Sequence, residues 1–296
     1  MGGVNVLHGI SGGTVAFVSG LYEEWIDSLN AFDKEAYQLL TRRRFHDLWK
    51  KINGPFLVTI LAGIATGFIV ITRLLFEVIK DHPIPLHAFF FGVILISAPL
   101  ALRKIQKWNI ATALALVAGI AIAYGLTLLP AMKSPDQLWF IFLCGILASC
   151  GLLWPGISCS FILLLLGKYG YIVMAFDFLN IKIIVFFLLG FGAGMIGNAR
   201  ITHAFLVHYH HTGVALLAGL MLGALNKLWP WREVAEFMTN RKGEQIPAFD
   251  KSILPWDFMA TTGKDPQVFM AILMIALGVF IVVLTEKIGA RLKTKI

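Results

Sequence analysis

Charge is what this chain has least of. Asp, Glu, Lys and Arg make up only 14% of its 296 residues against 58% hydrophobic, with mean hydropathy +0.78. Soluble domains carry about a quarter charged residues, so a soluble globular fold is excluded. Cysteine is scarce as well, with three residues. Cys144, Cys150 and Cys159 all sit in or beside apolar segments, which excludes a disulfide or metal framework. His203, His208, His210 and His211 have no accompanying Cys or carboxylate ligand set, so neither metal nor cofactor is expected. The chain lacks a cleavable-signal pattern, since Met1 stands seven residues before the first motif. It also lacks the alternating ten-residue segments of a membrane barrel. The net charge of +8 is dispersed among loops, where it sets topology rather than binding nucleic acid.

What is present in quantity is apolar runs of about twenty residues, long enough to cross a ~30 Å hydrocarbon layer as helix. Backbone groups cannot be left unpaired in lipid, so these spans are expected to be helical and the fold all-α and polytopic. Expected spans cover 56–79, 86–102, 110–129, 138–154, 161–178, 181–206, 214–229 and 268–284. The basic stretch 33–54, with Arg42, Arg43, Arg44, Lys50 and Lys51, reads as a cytoplasmic loop. Arg103, Lys104 and Lys107 fall on the same side, as do Lys287, Arg291, Lys293 and Lys295 at a cytoplasmic C-terminus. Residues 230–266 read as a long outer loop, with Trp229 and Trp231 as an interface anchor.

Two stretches break the apolar pattern in the same way. Residues 8–22 read HGISGGTVAFVSGLY and residues 155–171 read PGISCSFILLLLGKYGY. A shift of 147 aligns Gly9 with Gly156, Ile10 with Ile157, Ser11 with Ser158, Gly20 with Gly167 and Tyr22 with Tyr169. A second offset of 127 pairs Gly63 with Gly190, Gly67 with Gly194, Arg73 with Arg200 and Gly92 with Gly219. The first motif is expected to exit on the cytoplasmic face and the second on the outer face. This predicts two inverted-topology repeats, 1–130 and 131–296, each a re-entrant or broken helix plus three spans, in a single membrane domain.

Each motif copy supplies small residues that let backbone approach a ligand, then hydroxyls, then a helix start whose free N–H groups favour an anion. Ser11, Gly12, Gly13 and Thr14 from the first copy are therefore candidates for a phosphate-like group, with Gly156, Ser158, Cys159 and Ser160 from the second. The competing explanation is tight helix packing, which small residues also permit. Arg73 and Arg200 join the candidates because a guanidinium in apolar surroundings is costly and pairs with phosphate in a fork geometry. Each could instead snorkel from a span end. Glu23 and Glu24 follow only the first copy and are coupling or gating candidates, together with His203 and Asn198.

With GISGGT, PGISCS and the glycine-spaced arginine spans in hand, the chain resembles the DUF368 family of bacterial membrane proteins over essentially its whole length. His8 stands where that family has Pro, Cys159 where it has Gly, and Asn5 where relatives often have Asp. The resemblance implies transport of undecaprenyl phosphate, a polyprenyl phosphate lipid, across the bacterial cytoplasmic (inner) membrane for lipid-carrier recycling. Coupling to H+ or Na+ would suit such a carrier. Two other readings stay open. An undecaprenyl pyrophosphate phosphatase-like enzyme would need an arginine where Cys159 stands, and an ion-coupled carrier of a small soluble anion would need no lipid.

Overall fold

A computed structural model describes residues 1–2, 11–239 and 245–293, with the backbone alone described at 68–69, 71–77, 79–80, 235–239, 245–249 and 289–293. Four short helices come first: α1 (Gly12–Ser19), α2 (Tyr22–Asn30), α3 (Lys34–Thr41) and α4 (Phe45–Lys51). Next are α5 (Gly54–Asp81), α6 (Pro83–Leu102), α7 (Ile110–Thr127) and α8 (Leu138–Leu153). The chain continues through α9 (Cys159–Leu165), α10 (Tyr169–Asp177), α11 (Ile181–His208) and α12 (His210–Leu228). It closes with β1 (Arg232–Thr239), β2 (Gln245–Ser252), α13 (Pro255–Thr262) and α14 (Val268–Lys293). The protein is an all-α polytopic membrane protein: among the described residues α6, α7, α11, α12 and α14 are long and apolar enough to cross a bilayer.

Local chemistry sets many of the helix boundaries. Side-chain oxygens of Ser11, Asp33, Asn109 and Ser158 accept from the backbone N–H of Thr14, Ala36, Thr112 and Phe161, so each cap satisfies an orphan donor at a helix start. Pro55 and Pro83 enter at first-turn positions, where a missing N–H costs nothing. Only His82 then separates α5 from α6. The basic stretch 33–54 folds into α3 and α4 rather than an open loop. The expected run 161–178 is broken: α9 and α10 meet at 115°, where Gly167 takes φ +64. Lys168 locks this bend, its Nζ donating to the Ser134 carbonyl (2.7 Å) and the Asp136 carboxylate (2.8 Å).

The core is an interlock of crossing spans. Gly119 of α7 and Gly219 of α12 meet with so little space that a Cβ on either would strike the partner's backbone. Small residues at a crossing let membrane helices approach closely. Ile84 and Ala88 of α6 share a cluster with Ala271, Met274 and Ile275, and farther along Ala101 and Lys104 face Val282 and Glu286, so α6 and α14 run in the same direction. By contrast α6 and α12 cross in opposite directions, because Phe91 stacks on Trp229 while Ala101 packs with Val214 and Ala218. Pro99 lies within α6 and gives no N–H to the helix ladder there.

The stretch 230–266 corrects an expectation. It carries an antiparallel hairpin, β1 with β2, followed by α13. Trp231 is buried against Ile84 and Phe258, and the indoles of Trp229 and Trp231 donate to the carbonyls of Ile253 and Pro266. These two tryptophans pin the hairpin to α6 and α14. Asp250 completes the attachment, paired with Lys227 and, at 2.6 Å, with Arg232. Burial alone would raise the Asp250 pKa, but the two cations hold it down at about 2.

Candidate functional site at the junction of two helix tips

The two motif copies, 142 residues apart at their joining atoms, are in direct contact. Ser11 Oγ donates to the Trp154 carbonyl at 3.0 Å, and the Gly156 N–H donates to Thr14 Oγ1 at 3.0 Å. Ser11 Oγ also lies 3.0 Å from Thr14 Oγ1. In the second copy Ser158 Oγ accepts from the Phe161 N–H at 3.1 Å and lies 3.3 Å from Ser160 Oγ. The start of α1 therefore abuts the turn that starts α9, and hydroxyls and peptide groups at the seam answer one another. All four hydroxyl residues are buried, with Ser11 and Ser158 at 0% exposure and Thr14 at 1%.

Glycine makes this approach physically possible. A Cβ on Gly13 would fall 2.6 Å from the Leu153 carbonyl oxygen, and one on Gly156, which holds φ +89, would fall 2.6 Å from that of Leu220. The packing explanation and the ligand explanation thus use the same atoms. Cys159 opens α9 half-buried, and the tight contact beside it is made by its backbone N against Gly151.

Other candidates sit around the seam. Arg73 lies on α5 with its side chain outside the described residues, as do residues 3–10, including Asn5, His8, Gly9 and Ile10. Arg200 is exposed on α11 and donates to the Phe32 carbonyl at 2.7 Å, past the end of α2, rather than to a motif residue. Two residues on, Thr202 accepts from the Trp154 indole at 3.0 Å, and His203 reaches Asp27 at 3.5 Å. One stretch of α11 thus holds both the motif turn and α2. Asn198 faces α8, donating to Ser149 Oγ at 2.8 Å, so it clamps two helices. Glu23 and Glu24 are exposed and border a cavity of about 470 Å³ with Asp27, Lys51 and Asn53; Glu24 accepts from Asn53 at 2.8 Å. Among the described residues no His, Cys, Asp and Glu grouping could hold a metal ion.

Two side chains were invisible to sequence reasoning. Tyr22 and Trp25 lie one turn apart on α2, buried in the same cluster as Leu153 of α8 and Ile157 of the second copy. Among the described residues the Tyr22 hydroxyl and the Trp25 indole N–H have no hydrogen-bond partner. An unsatisfied buried donor costs roughly 1–3 kcal/mol, so two together on one face call for an acceptor. Their aromatic character reads as ordinary core, and only burial without a partner separates them from it.

An interrupted helix pair lodged tip to tip inside a bundle of spans defines the class: a polytopic membrane protein with a re-entrant element at its centre. Within that class, the chain belongs to the VCA0040-like, undecaprenyl phosphate translocase-like family, whose model matches residues 1–246. It is 33% identical over 287 residues to the polyprenyl-phosphate transporter of Vibrio cholerae serotype O1, covering 97% of this chain and 93% of that protein. It is 29% identical over 251 residues to the polyprenyl-phosphate transporter of Staphylococcus aureus, covering 78% of this chain and 83% of that one. No solved structure matches the chain.

Proposed function

We propose that this protein translocates a polyprenyl phosphate, undecaprenyl phosphate in lipid-carrier recycling, across a bacterial inner membrane. The phosphate head is taken up between the tips of α1 and α9 while the isoprenoid tail stays in the bilayer. The observation that carries the reading is the seam itself. Its donors are the Ser11 hydroxyl and the Gly156 N–H, and their present acceptors are the Trp154 carbonyl and Thr14 Oγ1. Phosphate oxygens are stronger acceptors than either, so a head group entering the seam exchanges these bonds for charge-assisted ones. Ser158 and Ser160 add further donors, and the orphaned Tyr22 and Trp25 donors stand in the adjoining core. The names of the two relatives support the same substrate class.

Exchange requires the tips to part on one face at a time. The halves 1–130 and 131–296 act as inverted repeats in this reading, supported by the opposed crossing of α6 and α12 and by the pairing of α6 with α14 and of α7 with α12. With the C-terminus in the cytoplasm, the contacts of Arg200 with Phe32 and of His203 with Asp27 latch α11 to α2 across the halves. Protonation of His203, Glu23 or Glu24 is how H+ would couple, and Arg73 serves the head group in the opened state.

Reconstitution in liposomes tests this reading. Fluorescent or radiolabelled polyprenyl phosphate should cross the bilayer with the wild-type chain, and crossing should be lost in Ser11→Ala/Ser158→Ala protein that still elutes as a folded species. Crossing by that variant at the wild-type rate overturns the site. Release of inorganic phosphate from undecaprenyl pyrophosphate would make the protein an enzyme instead, and uptake of a soluble anion untouched by the lipid would make it a carrier of small anions.

A further inference from the structure

A second cavity of about 370 Å³ lies between the end of α1, the last turns of α6 and the corresponding turns of α14. Its walls are mostly apolar, with Phe17, Leu100 and Val282 among them. Lys104 stands at it with its ammonium 5.9 Å from the centre of the Phe17 ring. No carboxylate lies within ion-pairing distance of Arg103, Lys104 or Lys107 among the described residues, although Glu286 lines the same cavity. The negative end of α1 is muted here, because Ser19 Oγ donates back to the carbonyls of Val15 and Ala16. Gly20 separates this crevice from the carboxylate-lined cavity of Glu23, Glu24 and Asp27, which repels anions. Both α6 and α14 are spans, and the crevice lies between their ends.

We infer that this crevice is a docking site for the substrate lipid, resting on the function proposed above: the phosphate sits on Lys104 and the first isoprene units lie along Leu100 and Val282. Three features argue for that occupant. The site pairs one cation free of any ion pair with an apolar wall, matching a single anionic head on a hydrocarbon chain. Pro99 withholds one ladder hydrogen bond from α6 beside Leu100, where the wall has to yield to a chain. The crevice also abuts the far end of α1, whose opposite end is the motif tip. A lipid docked here therefore touches the helix that must shift for the seam to open.

Photolabelling by polyprenyl phosphate carrying a diazirine on its proximal isoprene tests the inference, with purified full-length protein in liposomes. Labelled peptides are expected around 97–104 and 282–286. Labelling should fall about tenfold in Lys104→Glu, persist in Lys104→Arg and rise in Glu286→Gln, because an electrostatic contact of ~1.4 kcal/mol is a factor of ten. Opposite signs at Lys104 and Glu286 do not arise from loss of fold. The matching polyprenol without phosphate should label weakly, and millimolar inorganic phosphate should not compete. Equal labelling by the polyprenol, unchanged labelling in Lys104→Glu, or full competition by inorganic phosphate would overturn the site. Translocation measured alongside separates the two proposals. Crevice labelling that persists in Ser11→Ala/Ser158→Ala protein supports docking that does not depend on the seam. Labelling without translocation by the wild-type chain sinks only the function, and translocation without labelling sinks only the crevice.

Discussion

The two motif copies begin alike and end differently. Both are capped by a serine, Ser11 and Ser158, and both turn after one or two helical turns at a left-handed glycine, Gly20 at φ +75 and Gly167 at φ +64. Beyond that point they diverge. The first leads into α2, which exposes Glu23, Glu24 and Asp27 on one face and buries the orphaned donors Tyr22 and Trp25 on the other. The second leads into α10, whose bend is fixed from outside by Lys168 and Asp136. Thr14 has Phe161 as its counterpart in the aligned copies, so the hydroxyl that receives the Gly156 N–H exists only on the first side. A shared cap geometry brings the two tips together, and the unshared residues give each side its own contacts.

Four substitutions break or sharpen this contrast. Gly156→Val should be the most damaging, since a β-branched residue at φ +89 meets the Leu220 carbonyl; a loss of about 3 kcal/mol or more is expected, seen as loss of monodisperse protein on gel filtration. Thr14→Val leaves the buried Gly156 N–H without its acceptor and should cost about 1–3 kcal/mol in thermal unfolding, whereas Phe161→Leu at the matching place should cost less than that. Tyr22→Phe removes a hydroxyl that pairs with nothing in this state. Stability should hold or rise by up to about 1 kcal/mol, while lipid translocation falls roughly tenfold if that hydroxyl serves the phosphate. Unchanged transport would return Tyr22 to the role of core filler.

The smallest effect is expected at the hairpin, which reaches the second copy through Lys227, paired with Asp250 and 5.5 Å from the centre of the Phe161 ring. The Asp250 pKa is held at about 2, below its ordinary 3.8, so its contribution is complete above about pH 4 and is lost as pH falls toward 2. Wild-type protein should lose about 2 kcal/mol over that window from this group, and Asp250→Asn should flatten the loss in melts at pH 6 and pH 3.

The spans were legible because lipid leaves the backbone one choice, and a long apolar run reports it directly. The repeated Gly-Ser string was legible as well, since hydroxyls and glycines interrupting apolar sequence need a reason. The bend at Gly167 was missed because apolar residues continue on both sides of it, and its cause, Lys168 reaching Ser134 and Asp136, is more than thirty residues distant in the chain. The partner of Arg200 was not legible for a related reason. Its equivalence to Arg73 spoke for a shared cavity, whereas its partner is a backbone carbonyl, Phe32, that no side-chain pattern advertises.

Sequence by itself determined that this chain lives in a bilayer, that it carries two capped helix starts, and which side chains those starts present. Hydropathy and capping are local properties, written in consecutive residues. Only the tertiary structure decided that the two starts touch, that Ser11 and Thr14 answer Trp154 and Gly156, that Tyr22 and Trp25 are left without acceptors, and that Lys104 faces an apolar crevice beside Glu286. Those relations depend on helices crossing at distances set by glycine and alanine, and a crossing is a property of two surfaces that neither sequence segment contains alone.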